Sequence, residues 1–201
     1  MPHPENDPTQ EPDDSSDRPA PINQQIQHSS LSARVPAGIG KGVFSTGAVV
    51  FNGQTEFITD FLLRLGSPHT VAARVVLSPQ VFGGFVNALR ENLGNFNEQF
   101  GAPAKLPQPP PGTPQPSITD LYDDLKMPEE LYSGVYANAV MIGHTASEFW
   151  FDFITNFFPH ASVSCRVYLS AQQIPGLLDS MTSAFQAFQR GQQEGGGLPP
   201  S

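Results

Sequence analysis

The pattern Glu-Phe-x-x-Asp-Phe occurs twice in this chain, at 56–61 and again at 148–153. Gly42-Val43 stands ahead of the first copy and Gly134-Val135 ahead of the second. Arg74-Val75-x-Leu77-Ser78 follows the first and Arg166-Val167-x-Leu169-Ser170 the second. Every pair is offset by 92 residues, and no gap is needed from Gly42 to Arg190. Such a duplication restricts the fold, because each copy must be one supersecondary unit and the units must bury against each other. A unit of about 59 residues is near the lower limit for an independent core; two make the core of one ordinary domain.

The elements follow from local patterns. In repeat 1 (42–100), Phe44-x-Thr46-x-Ala48-x-Val50 alternates as a strand does. Asn52-Gly53 then predicts a two-residue hairpin turn. Residues 56–63 and 71–77 read as two further strands. Ser78-Pro79 starts a helix, with a hydroxyl at the cap and proline where no N–H is missed. Repeat 2 (134–192) runs the same way, with strands at 136–143, 148–155 and 163–169, Ser170 as cap and Gln173 in the capping-box position. Gly83-Gly84 and Pro175 predict a bend or late start in the two helices. The fold class is therefore α+β: two tandem β-β-β-α repeats packed as a pseudo-two-fold pair. Residues 1–36 read as a disordered acidic and proline-rich tail, 101–133 as a proline-rich linker whose short acidic helix Thr119 caps, and 193–201 as a second disordered tail.

Turn chemistry supplies a register. The two-residue turn pairs Phe57 with Ala48 and Phe61 with Phe44; pairing Asp60 with Arg74 also matches Phe57 with Leu77 and Leu63 with Val71. One sheet face is then apolar, from Phe44 through Leu77, and faces the helix stripe. The other is mixed: Glu56, Ile58, Asp60, Leu62, Arg74 and Val76 in repeat 1, and Met141, Glu148, Trp150, Asp152, Ile154, Arg166 and Tyr168 in repeat 2. Water penalises so apolar a face, which makes it the candidate interface or partner surface. The repeats are expected to pair about an approximate two-fold axis. Either the mixed faces stack or edge strands join into one six-stranded sheet, and a contact that includes the mixed face is the expected one.

Function classes narrow by charge and spacing. The net charge is −9 and its excess sits in the tail and linker, with no basic stripe, which argues against direct nucleic-acid binding. No apolar run approaches the ~20 residues of a membrane-spanning helix, and no signal peptide is visible. Cys165 is the lone cysteine, so no internal disulfide exists and a reducing, cytoplasmic setting is expected. The carboxylates of Glu148 and Asp152 lie roughly 13 Å apart along a strand, too far to share a proton. Asp60–Arg74 and Asp152–Arg166 read as cross-strand ion pairs. The five histidines (His3, His28, His69, His144, His160) show no metal-ligand spacing, so no metal and no cofactor is expected. Cys165 reads as a buried small residue. An enzyme reading requires Glu148, Asp152, Arg166 and His144 around one open pocket.

The segments Gly-Val-Tyr-Ala-Asn-Ala (134–139), Gly-His-Thr-Ala-Ser-Glu-Phe-Trp-Phe-Asp-Phe (143–153) and Arg-Val-x-Leu-Ser (166–170) resemble a small prokaryotic family of unknown function. Its pattern is Gly-Val-Tyr-x-Asn, then His-Thr-x-x-Glu-Phe-x-x-Asp-Phe, then Arg-Val and a helix. The resemblance covers both repeats. Repeat 1 departs from it, with Asn52-Gly53 in place of His-Thr, while Ser78-Pro79 keeps the ending. Members usually carry one copy, so the chain resembles a fused pair. The resemblance implies a fold and a bacterial cytoplasmic setting, and no activity or catalytic residue. The expected role is a non-catalytic binding or assembly module whose partner is another protein or self; the alternative is a chaperone-like factor holding an extended peptide.

Overall fold

The computed structural model of the chain describes residues 33–107, 110, 112, 117–157 and 159–195. Of the expected tails, residues 1–32 and 196–201 lie outside the described residues, and the expected boundaries are corrected at both ends: Arg34 bridges Ser162, and the last helix runs to Gly195. Of the expected linker, residues 108, 109, 111 and 113–116 lie outside the described residues. The element order is α1 (Ala37–Gly40), β1 (Val43–Ser45), β2 (Gly47–Asn52), β3 (Phe57–Leu63), β4 (His69–Leu77) and α2 (Pro79–Phe100). Next come α3 (Ile118–Asp123), β5 (Leu125–Lys126), a 3-10 turn at Glu129–Leu131, β6 (Val135–Ala137), β7 (Ala139–His144), β8 (Glu148–Phe157) and β9 (His160–Ser170). A second 3-10 turn at Ala171–Gln173 leads into α4 (Ile174–Gly195). The fold is α+β, built from two equivalent halves.

The first strand of each repeat is divided between two sheets. The strand expected to be continuous breaks at Thr46 and at Asn138, where the chain crosses over. β1 leaves its own repeat and runs parallel to β9, Val43 opposite Val167. β6 does the reverse and runs parallel to β4, Val135 opposite Val75. One sheet has the order β1-β9-β8-β7; the other runs β2-β3-β4, with both β5 and β6 on β4. Polar side chains hold the corners. Thr46 Oγ1 accepts from the Arg64 N–H at 2.9 Å. Asn138 Oδ1 accepts from the Asn156 N–H at 2.7 Å, and its Nδ2 donates to the Asn156 carbonyl at 3.1 Å. A break costs ladder bonds, and these contacts replace them.

The crossover changes which side chains face inward. Val43 and Ser45 turn toward the interior, whereas Phe44, expected on the apolar face, is exposed, as is its counterpart Tyr136. The mode of pairing also differs from expectation. The mixed faces do not stack and no six-stranded sheet forms among the described residues; the apolar faces of both repeats and both long helices enclose one common core. Phe61 lies 6.3 Å from Phe151 and 5.7 Å from Phe153, while Phe85 of α2 meets Phe153 edge-on at 5.6 Å. Phe185 and Phe188 of α4 reach Phe57 at 6.0 and 5.2 Å. The reason is relative cost: the apolar face carries few polar groups to keep wet, the Thr59 hydroxyl among them, so sharing it removes more hydrocarbon from water. The helices approach closely where α2 has Gly83, since a Cβ there would fall 2.7 Å from the Phe185 ring.

The registers correct the sequence reading in part. Asp60 stands opposite Arg74 and Phe57 opposite Leu77, as expected. After Phe61 the register shifts, so that Leu62 rather than Leu63 faces Val71; repeat 2 shifts at the same place, between Phe153 and Ile154. Such a bulge sets two residues against one and re-aims the side chains beyond it. Leu62 and Ile154 therefore leave the mixed face and are buried. The first hairpin is displaced by four, with Ala48 opposite Phe61 and Asn52 opposite Phe57. Its loop is Gly53–Glu56, closed by the Gly53 N–H on the Glu56 carbonyl at 2.8 Å. Gly53 does not adopt the positive φ that a two-residue turn requires. The shift is even, so the faces are preserved.

The helix starts differ between repeats. α2 begins at Pro79 without delay, with Ser78 Oγ accepting from the Val81 N–H at 3.4 Å. α4 starts late, after its 3-10 turn, and Ser170 makes no side-chain cap. Ser117, not Thr119, caps α3, in a reciprocal box with Asp120. The repeated geometry reaches upstream of Gly42. Arg34 bridges Ser162 in parallel just as Lys126 pairs with Thr70, and α1 occupies the place of the Glu129–Leu131 turn.

Candidate functional site

With the apolar faces joined, the mixed faces look outward, and each is centred on an aspartate–arginine pair. Arg74 Nε and Nη2 both donate to Asp60 at 2.7 Å. Arg166 does the same to Asp152 at 2.6 and 2.7 Å. Asp60 is 0% exposed and Asp152 6%. The hydrogen bonds to the carboxylates, set against burial, hold both guanidinium groups above their ordinary pKa. Each arginine also reaches the segment that leads into the other repeat. Arg74 Nη1 donates to the Tyr132 carbonyl at 3.3 Å and Arg166 Nη1 to the equivalent Gly40 carbonyl at 3.5 Å.

The three duplicated motifs thus meet. Gly42 and Gly134 have φ of 62° and 68°, which glycine tolerates best. A Cβ on Gly42 would lie 2.9 Å from Arg166 Cγ, and one on Gly134 2.9 Å from Arg74 Cγ. The glycine of one repeat lets the backbone pass over the arginine of the other, whose head group clamps its own aspartate. The ion pairs are locks on the strand exchange, and the arginines engage both oxygens of each carboxylate that proton transfer would need.

The two outer faces then diverge. On repeat 1, α3 lies over the sheet: the Tyr122 hydroxyl donates to Asp60 Oδ2, and its ring is 5.4 Å from Phe51. Burial, followed by the hydrogen bond to Asp60, pushes the Tyr122 phenol well above its usual range. On repeat 2 the positions of Phe51 and Ile58 are Gly143 and Trp150, and the indole lies over the glycine, where a Cβ would come within 2.1 Å of it. Tyr168 replaces Val76 and Lys41 replaces Ser133. The result is an open concavity of about 730 Å³ lined by Lys41, Gly42, Phe44, Thr145, Glu148, Trp150, Arg166 and Tyr168.

The remaining candidates lie apart from one another. Ile58 and Val76 are half-buried on the face of repeat 1, with Glu56 at its rim, and Met141 is exposed beside Trp150. Glu148 accepts from Thr145 Oγ1 at 2.6 Å and Ser147 Oγ at 3.0 Å, which lowers its pKa and ties it into its own loop. His144 points to the opposite side of the sheet, into rings of Phe96, Phe100 and Phe149. The structure therefore does not gather Glu148, Asp152, Arg166 and His144 around one pocket. Cys165 is buried, and burial, then the Asp152 charge, push its thiol up to about 11. Among the described residues no group of His, Cys, Asp and Glu could hold a metal ion, and no helix is long and apolar enough to cross a membrane.

Three contributors escaped the sequence reading: Phe44, Lys41 and Tyr122. Phe44 was hidden by the strand break. Tyr122 had a signal, since Leu121, Tyr122 and Leu125 form the apolar side of an otherwise acidic segment.

A family model described as "Protein of unknown function (DUF3467)" matches the chain twice, over residues 4–106 and 107–192. No curated protein matches it.

Proposed function

Because the chain belongs to the DUF3467 family in two tandem copies, and that family is one of unknown function, its role is read from its surfaces, and we propose that it is a non-catalytic binding module. Its binding surface is the outer face of repeat 2, around Phe44, Trp150 and Tyr168. The observation that supports this reading is the asymmetry of the faces: repeat 1 has its own helix laid across it, while repeat 2 presents aromatic rings and a concavity. Aromatic and arginine side chains in an open depression are what binding hot spots are made of. The partner is a protein, or a second copy of this chain, rather than a nucleic acid or a membrane. Among the described residues the formal cations lining the depression are Lys41 and Arg166, and Arg166 is committed to Asp152. An enzymatic role draws no support from carboxylates already engaged by arginine, threonine and serine. The setting we assign is the bacterial cytoplasm, in keeping with a chain whose lone cysteine permits no internal disulfide.

The test is affinity capture from native cells with the intact chain and with the double variant Trp150→Glu, Tyr168→Glu. Partners retained by the intact chain should be lost by the variant while melting is preserved. If the same partners are captured equally well by a folded variant, the face is not the binding surface.

A further inference from the structure

Resting on the reading above, we propose that the occupant of the repeat 2 face is a short acidic helix carrying a leucine–tyrosine pair, supplied in trans by a partner protein. The chemistry is read from repeat 1, where such an element is already seated. There α3 presents Tyr122, whose hydroxyl donates to the buried Asp60, and whose ring rests on Phe51. Three acidic residues, Asp120, Asp123 and Asp124, belong to or end this helix.

Repeat 2 keeps the receiving half of this arrangement. Asp152 is in register with Arg166 as Asp60 is with Arg74. Among the described residues, Arg166 is the side chain that donates to Asp152, where Asp60 accepts from both arginine and tyrosine. Trp150, folded over Gly143, restores the aromatic wall that Phe51 provides. Met141 beside it is 52% exposed. Lys41, where repeat 1 has Ser133, adds a cation to the concavity on the other side of Trp150, which favours an acidic occupant of this face.

The chain does not encode the ligand half a second time. At the 92-residue offset, Leu121 and Tyr122 correspond to Ser29 and Ser30, and Asp120 corresponds to His28. The tyrosine that meets the face of repeat 1, with its leucine and acidic neighbours, is missing from the stretch that precedes repeat 2's partner strand as α3 precedes repeat 1's. A receptor retained without its ligand is the sequence signature of an outside occupant.

Trp150 is the only tryptophan in the chain and lies on the proposed face, so it reports binding directly. The probe is a synthetic peptide of residues 116–127 of this chain, titrated into the full protein while Trp150 emission is followed. Peptide that exchanges with α3 on repeat 1 does not approach Trp150, so the signal is specific to repeat 2. Saturable change is expected, with binding about 10-fold weaker for the Tyr122→Phe peptide and for protein carrying Asp152→Asn, since each loses a hydrogen bond to an ionised group. Chain lacking residues 1–32 should bind as the full chain does. No change in Trp150 emission at millimolar peptide overturns the proposal. So does binding that appears only after residues 1–32 are removed, which assigns the face to the chain's own tail. If the peptide fails while cellular capture still depends on Trp150 and Tyr168, the face stands and the nature of its occupant is wrong.

Discussion

Cutting the chain in the linker tests the shared core most directly. Consider residues 1–107 and 108–201 produced as separate polypeptides. In repeat 1, Phe57, Phe61, Phe82, Phe85 and Phe96 are buried, and each has a ring of repeat 2 within 6.3 Å. Exposing a phenylalanine side chain costs about 1.5–3 kcal/mol, so the five together are worth roughly 8–15 kcal/mol if fully uncovered. Even half of that rivals the ~5–15 kcal/mol by which a typical domain is stable. The half also loses β6 from the edge of β4, and with it a row of backbone partners. Neither half should therefore fold as a monomer. Mixed in equal amounts they should assemble, with a melting temperature that rises with concentration, whereas the intact chain melts independently of it. Size-exclusion chromatography and thermal denaturation at several concentrations decide the matter. Two monomeric halves, each melting within a few degrees of the intact chain, would refute the reasoning.

Asp60→Ala should destabilise by about 2–4 kcal/mol, because Arg74 and the Tyr122 hydroxyl both lose their acceptor; Asp152→Ala, with Arg166 alone affected, should cost less, and urea denaturation of the pair gives the order. Thr59→Val should stabilise by about 1 kcal/mol, since the Thr59 hydroxyl is buried without a partner among the described residues and valine keeps the shape; a lower melting temperature would contradict this. Burial raises the Cys165 thiol to about 11, so the thiolate is scarce below that pH. Alkylation at pH 8 should be slow in the folded chain and prompt in denaturant, and mass spectrometry after iodoacetamide reads the difference.

Much of this architecture is legible in the sequence because it rests on residue type and spacing. The 92-residue offset marks the two halves, and the Asp60–Arg74 register marks the faces. The illegible part depends on contacts between halves. Alternation carried through Thr46 puts Phe44 inward, but the chain changes sheets there, and nothing in the pattern marks that corner. The same alternation puts Leu62 outward, because a bulge one residue earlier leaves no trace in composition. The choice of the apolar face for pairing turns on a comparison of two surfaces, which needs both halves in place. The site is half-legible: Trp150, Arg166 and Tyr168 come from the strand pattern. Lys41 and Phe44 reach it only through the exchanged strand.

That exchange has a consequence for how the chain can change over time. Gly42 is hemmed in by Arg166 and Tyr168, and Gly134 by Arg74 and Val76. A substitution beside one glycine is therefore answered, if at all, in the opposite half, and neither copy drifts alone. Two copies fused side by side ordinarily gain the freedom to specialise independently. Here the freedom is greatest on the outer faces, where the halves differ by Trp150 for Ile58, Tyr168 for Val76 and Lys41 for Ser133, although Tyr168 and Val76 also border the two glycines. Fusion has made one symmetric scaffold with two separately editable surfaces.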